Sequence, residues 1–146
     1  MESKIRIFDL AKGLSFLVRN HPVTTKVDTM TNLLIRFDLE NLGPPRETRV
    51  PPERLIEGDV ICRNWDVDTA KDGKVRAGVF ESTPGTNRSI KGETWEFCAI
   101  LSGVAELTED GKPPITVRAG DYFILKPGYL GTWRTIETIR KVWVTA

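Results

Sequence analysis

A chain of 146 residues, 40% apolar and 28% charged, has the size and composition of one globular domain with a real core. Its 21 lysines and arginines nearly balance its 20 aspartates and glutamates, so the net charge of +1 provides no steering toward nucleic acid or membrane. The basic residues are scattered as Arg46 and Arg49, Lys71 and Lys74, Arg140 and Lys141, with no stripe interleaved with aromatics, which excludes both surfaces as expected partners. Met1 to Arg6 has no long apolar core and no apolar run reaches spanning length, so the expected location is the cytoplasm. Cys62 and Cys98 stand apart with no CxxC motif and read as free thiols. Their spacing, with the sole histidine His21, gives no support for a zinc site.

In chain order, residues 1–57 read as an N-terminal extension packing on a barrel formed by residues 58–146. Two short apolar pieces flank Lys12-Gly13 between Ile5 and Val18, and His21-Pro22 reads as loop. Asn32 to Leu39 alternates in the manner of a strand and is expected to cover a sheet edge. Gly43-Pro44-Pro45 and Val50-Pro51-Pro52 break regular structure, and Pro52 to Glu57 has room for one helical turn. From Gly58 the pattern changes to short strands with frequent turns. Val75 to Glu81 follows the turn Lys71–Lys74, Trp95 to Leu101 closes at Ser102-Gly103, and Val104 to Thr108 leads into the hairpin turn Glu109–Lys112. Ile115–Val117, Tyr122–Leu125, Thr132–Thr135 and Ile139–Thr145 complete the set. This spacing predicts an all-β antiparallel sandwich or barrel.

Between Asn64 and Val144 the chain resembles the cupin superfamily, in particular the small single-domain cupins grouped with ureidoglycine aminohydrolase and ethanolamine-utilisation cupins. The likeness rests on Thr83-Pro84-Gly85, Glu96-Phe97-Cys98, Ile100 to Gly103, Gly120-Asp121, Pro127-Gly128, Gly131-Thr132-Trp133 and Arg140-Lys141. It implies an antiparallel double-stranded β-helix, the jelly-roll cupin barrel, and a homodimer formed by sheet extension. It also implies a metal on three histidines and one glutamate. Here the glutamate is Glu96, and the three histidine positions fall on Ser89, Lys91 and Gly131. A hydroxyl and a glycine are poor substitutes for imidazole, and an ammonium repels a dication. No metal and no cofactor are therefore expected.

With Glu96 facing inward, alternation turns Cys98 and Ile100 inward as well, with Ser89 and Lys91 facing the same cavity and Gly131 and Trp133 across it. Glu96 is the candidate acid/base, its pKa raised by an apolar barrel, or else a structural carboxylate paired with Lys91 or Arg88. The candidate ligand-binding residues are Arg88, Ser89, Lys91, Cys98, Tyr122 and Trp133. Lys91 and Arg88 are anion holders or solvated surface cations, Tyr122 and Trp133 ligand platforms or core, and Cys98 a buried thiol without a histidine partner. Asp121 is expected to bond local backbone amides, and Gly103, Gly111, Gly120 and Gly128 to occupy turns.

Three functions fit these residues. The first is a metal-independent cupin that binds an unknown small molecule, as sensor or accessory protein in amine or ureide metabolism. The second is a metal-independent isomerase, lyase or hydrolase using Glu96 for proton transfer. The third is a non-catalytic interaction scaffold, its barrel filled by side chains.

Overall fold

Turns and glycines cut the sequence into strands, and the strands assemble in two units. The computed structural model describes residues 6–8, 15–17 and 32–146. One unit covers residues 1–34; in it β1 (Arg6–Phe8) pairs antiparallel with β2 (Ser15–Leu17). His21 lies outside the described residues.

The second unit covers residues 35–146, and among its residues every regular element is a strand. These are β3 (Arg46–Arg49), β4 (Leu55–Glu57), β5 (Ile61–Ala70), β6 (Val75–Ser82), β7 (Gly85–Ile90), β8 (Glu96–Glu109), β9 (Ile115–Arg118), β10 (Tyr122–Leu125) and β11 (Leu130–Thr145). All pairings are antiparallel. One sheet half runs β10, β8, β11, β6, β5, β3; the other runs β4, β7, β11, β8, β9. The long strands β8 and β11 therefore belong to both halves. This is the jelly-roll cupin barrel that the resemblance implies.

Three local expectations change. Strands expected separately at Trp95–Leu101 and Val104–Thr108 are one strand, as are those at Thr132–Thr135 and Ile139–Thr145. Gly103 (φ +84°) makes this possible, because it bends β8 where a Cβ would come 2.1 Å from the carbonyl oxygen of Thr138. Register shifts between Thr135 and Lys141 bend β11 at the same level. Second, no strand forms over residues 32–39, where Leu33 and Leu34 are 97% and 88% exposed. Alternation without a pairing partner does not hold a strand. Third, the second unit begins at Ile35, not Gly58, since β3 and β4 hydrogen-bond to β5 and β7 as members of the barrel sheets. The turn at Pro52 to Arg54 does form, closed by Leu55 N–H to Pro51 C=O at 3.1 Å, and runs straight into β4.

The tight turns follow the sequence. Lys71, Asp72 and Gly73 have φ of 51°, 55° and 80°, and Gly111 has φ 78° in the β8–β9 hairpin. The Asp121 carboxylate accepts from the Arg118 N–H at 2.8 Å. One end of the barrel is filled by Ile100, Ala105, Leu107, Val117, Leu125, Trp133 and Ile139, with Phe123 and Tyr129 against them. Beyond them the interior opens between the sheet halves, lined by charged, polar and aromatic side chains.

Candidate functional site

The opening is a cavity of about 460 Å³ between the two sheet halves, within the range of small-molecule sites. Its floor is set by register. Lys141, Trp143 and Thr145 alternate along one face of β11, opposite Phe80, Gly78 and Arg76 on β6 and Ile100, Cys98 and Glu96 on β8. Gly78 is needed here, because a Cβ would lie 2.7 Å from the Trp143 ring. The facing wall carries Asn87 and Ser89 on β7 and Trp133 on β11.

At the centre is a buried ionic cluster. Glu96 and Lys141 are each 5% exposed. Lys141 Nζ donates to Glu96 Oε1 at 2.8 Å and to Cys98 Sγ at 3.2 Å. The Cys98 thiol in turn donates to Glu96 Oε1 at 3.4 Å, and Lys91 Nζ donates to the other carboxylate oxygen. The Lys141 ammonium also lies 4.7 Å from the centre of the Trp133 ring and 5.3 Å from that of Phe80. Carboxylate, thiol, ammonium and rings thus satisfy one another, as buried charge requires.

Charge states follow from these contacts. Burial pushes the Glu96 pKa up, but the charges and hydrogen bonds of Lys141 and Lys91 outweigh it and hold the carboxyl at about 2. The raised pKa expected for an apolar barrel is therefore reversed, because the barrel places two ammonium groups on this carboxylate. Burial pushes the Cys98 thiol up, so it is neutral at pH 7. For Lys141, burial lowers the pKa, yet contacts with Cys98 and Glu96 prevail and it stands raised. With the thiol neutral, Glu96 is the charge that holds this lysine protonated.

A pH prediction follows. Glu96 binds a proton more readily unfolded, near 4.5, than folded, near 2, so its contribution is complete above pH 4.5 and is lost as pH falls toward 2. The loss should be about 3 kcal/mol at most. Urea midpoints measured from pH 7 to pH 2.5 should fall more steeply below pH 4.5 in the wild type than in Glu96→Gln. Parallel curves would contradict the assignment.

Of the expected site residues, Glu96, Lys91, Ser89 and Trp133 line the cavity, and Cys98 lies directly behind Glu96 and Lys141. Arg88 reaches the cavity edge, but its guanidinium already clamps both oxygens of Asp110, at 2.8 Å each. Tyr122 does not belong to the site: it is 70% exposed and stacks on Phe97 outside the cavity. Gly131 leaves no room beside Trp133, since a Cβ there would meet the Tyr129 hydroxyl at 2.6 Å and the Thr108 carbonyl at 2.3 Å. The Trp133 indole N–H is occupied by Thr135 Oγ1 at 3.2 Å.

Lys141, at the centre of the cluster, is not among the residues expected from the sequence, and neither are Arg46, Arg54, Arg76 and Trp143 of the cavity lining. A metal does not fit the donor set that remains. Glu96 is the one member of the three-histidine, one-glutamate pattern present, and both its oxygens already accept from ammonium groups. Among the described residues no three histidine, cysteine or acidic side chains gather as ligands.

Paired antiparallel sheets sharing two bent strands around a polar cavity define a protein of the cupin class. The chain belongs to the EutQ-like cupin domain family, whose model matches residues 69–143, just over half of its length. Among solved structures it is similar to a DUF861-family protein of unknown function from Pseudomonas syringae pv. tomato str. DC3000, with 22% identity and a TM-score of 0.63 over 70% of this chain and 43% of that one. It is also similar to the EutQ protein of Clostridium difficile, with 16% identity and a TM-score of 0.52 over 59% of this chain and 62% of that one. Ectoine synthase from P. lautus gives 18% identity and a TM-score of 0.53 over 66% of this chain and 70% of that one. The chain spans less than two thirds of the first two proteins. At these identities the likeness is one of fold. No curated protein matches. Among the described residues no helix is long and apolar enough to cross a membrane. Family and cavity together support a small-molecule-binding role of the cupin type.

Proposed function

We propose that the chain is a metal-independent small-molecule-binding cupin whose ligand is a small organic anion. The observation that carries this reading is the charge of the cavity lining. Arg46, Arg54, Arg76, Arg88, Lys91 and Lys141 stand against the single carboxylate of Glu96. Arg88 and Arg76 are paired with Asp110 and Asp66, and Lys141 with Glu96. Among the described residues Arg46 and Arg54 make no ion pair, and Lys91 faces the cavity with donors to spare beyond its bond to Glu96. Such a field attracts an anion and disfavours a cationic amine. An amine approaching Glu96 would also meet the two ammonium groups already bonded to it. Lys141 then supplies, beside Glu96, the fixed positive charge that a metal supplies in histidine-bearing cupins.

This reading ranks above an enzyme using Glu96 for proton transfer. A general acid or base works best with a pKa near the operating pH, and Glu96 stands at about 2. Its role here is to hold Lys141 as a cation and to anchor the Lys91 side chain by a hydrogen bond. A sensor or accessory protein needs no more than this.

The test is a thermal-shift series with carboxylates, amines and ureides, beside metal analysis of the untagged protein. Carboxylates should raise the melting temperature by mass action, and amines should not. Lys91→Met, which leaves the Lys141–Glu96 pair in place, should abolish the shift. Stoichiometric bound metal, or stabilisation by amines alone, would overturn the reading.

A further inference from the structure

A second cavity, of about 580 Å³, lies away from Glu96, between β9 and β10. Its origin is the bend of β8 at Gly103. β10 pairs with residues 96–99 before the bend and β9 with residues 104–107 after it, so each strand edges a different sheet half. The turn between them holds one end together, with Asp121 N–H donating to the Arg118 carbonyl at 3.0 Å. Among the described residues no ladder joins β9 to β10, and the barrel interior opens between them. Phe123 of this lining lies 6.1 Å from Trp133, centre to centre, and Trp133 lines the cavity at Glu96. That aromatic pair stands between the two cavities.

Ile115 indicates what the second cavity takes. It lies two residues from Val117 on one face of β9, in register with Leu107 on β8. Val117 and Leu107 are 5% and 6% exposed, yet Ile115 is 66% exposed. A lone apolar side chain on an outer surface is ordinary. An isoleucine in the inward phase, lining a cavity with the dry core behind it, is apolar surface left without its cover. Ile124, across the opening on β10, is exposed as well.

Charge in this lining is confined to the rim. Glu109 and Lys112 pair with each other across the hairpin turn at 2.9 Å. Among the described residues Lys126, exposed just beyond β10, makes no ion pair. The complementary occupant is apolar along its length and anionic at its outer end, and the volume is that of a small-molecule site. We propose that this cavity binds a medium-chain fatty acid, its tail against Leu107, Ile115, Val117 and Phe123 and its carboxylate at Lys126. The site is separate from the cavity at Glu96, and it does not depend on the anion-binding reading given there.

The experiment is an NMR titration of the methyl-labelled full chain with butyrate, hexanoate and octanoate. Octanoate should shift the methyl signals of Ile115, Val117 and Leu107 and leave that of Ile61 in place. Affinity read from Val117 should rise about fourfold for each added methylene, as burial of an alkyl chain does. Ile115→Asp, at an exposed position, should weaken octanoate binding at least tenfold. Lys126→Gln should weaken it about fivefold, the scale of an exposed ion pair. Lys91→Met, in the other cavity, should leave it unchanged. Affinity that does not grow with chain length would overturn the proposal, and equal binding by Lys126→Gln would overturn the place of the carboxylate. If Lys91→Met abolishes octanoate binding, the acid sits at Glu96: the proposal falls and the anion-binding reading stands. If octanoate does not bind, the proposal falls. Conversion of a dimer to a monomer by Ile115→Asp, seen by light scattering, would then identify the opening as a contact between copies.

Discussion

Lys141→Met is expected to destabilise the barrel by about 3 kcal/mol at pH 7, the scale on which breaking a buried ion pair acts. The pair is buried on both sides, so removing the ammonium leaves a carboxylate with only Lys91 near it and a thiol that has lost its donor. Glu96 would then ionise less readily, and part of the loss would appear as proton uptake. Adding Glu96→Gln should recover much of the stability, because replacing both charges by neutral groups of similar shape can be close to neutral. Urea denaturation of the wild type, both single variants and the double variant forms the cycle that checks it. Additive losses, with no recovery in the double variant, would show that the two side chains do not act as a pair.

Gly103→Ala is expected to cost at least as much, roughly 3 kcal/mol or more. Two terms combine. An alanine at φ +84° carries a backbone penalty of about 1–2 kcal/mol. Its methyl group would also lie 2.1 Å from the Thr138 carbonyl oxygen and 2.8 Å from the Ile139 Cα, where only backbone movement can relieve it. Overpacking of that kind adds about 1–3 kcal/mol. Gly111→Ala is the internal comparison, since φ is +78° but nothing lies within 4 Å of the new Cβ. It should show the backbone penalty alone. Equal shifts in urea midpoint for the two variants would mean that the close approach at Gly103 carries no weight.

Much of the barrel was legible because each strand is local and each turn is marked by its residues. Glu96 was found by counting from Gly103, and Ser89, Lys91 and Trp133 by alternation from Glu96. Tyr122 was misassigned because alternation gives two phases and does not say which faces inward. The pairing of Phe123 with Cys98 and of Leu125 with Glu96 fixes the phase, and it turns Tyr122 outward. Lys141 carried a readable signal. It shares a phase with Ile139 and Trp143, both buried, and a lysine in step with two buried apolar residues is a buried lysine. What alternation does not supply is its partner, because Glu96 lies 45 residues earlier and meets it only through the β8–β11 register. The low pKa of Glu96 has the same origin: Lys91 is within reach as a partner in the sequence, whereas the second ammonium, on Lys141, arrives only through that register.

Two walls of the cavity are parts of one strand. Trp133 stands on the first half of β11, and Lys141, Trp143 and Thr145 on the second, while β8 crosses between the sheets beside it. The walls are therefore stitched along a common spine and have no seam at which to part like the covers of a book. On the proposed reading, an anion enters such a vessel over its lip, past the exposed side chains of Arg46 and Arg54.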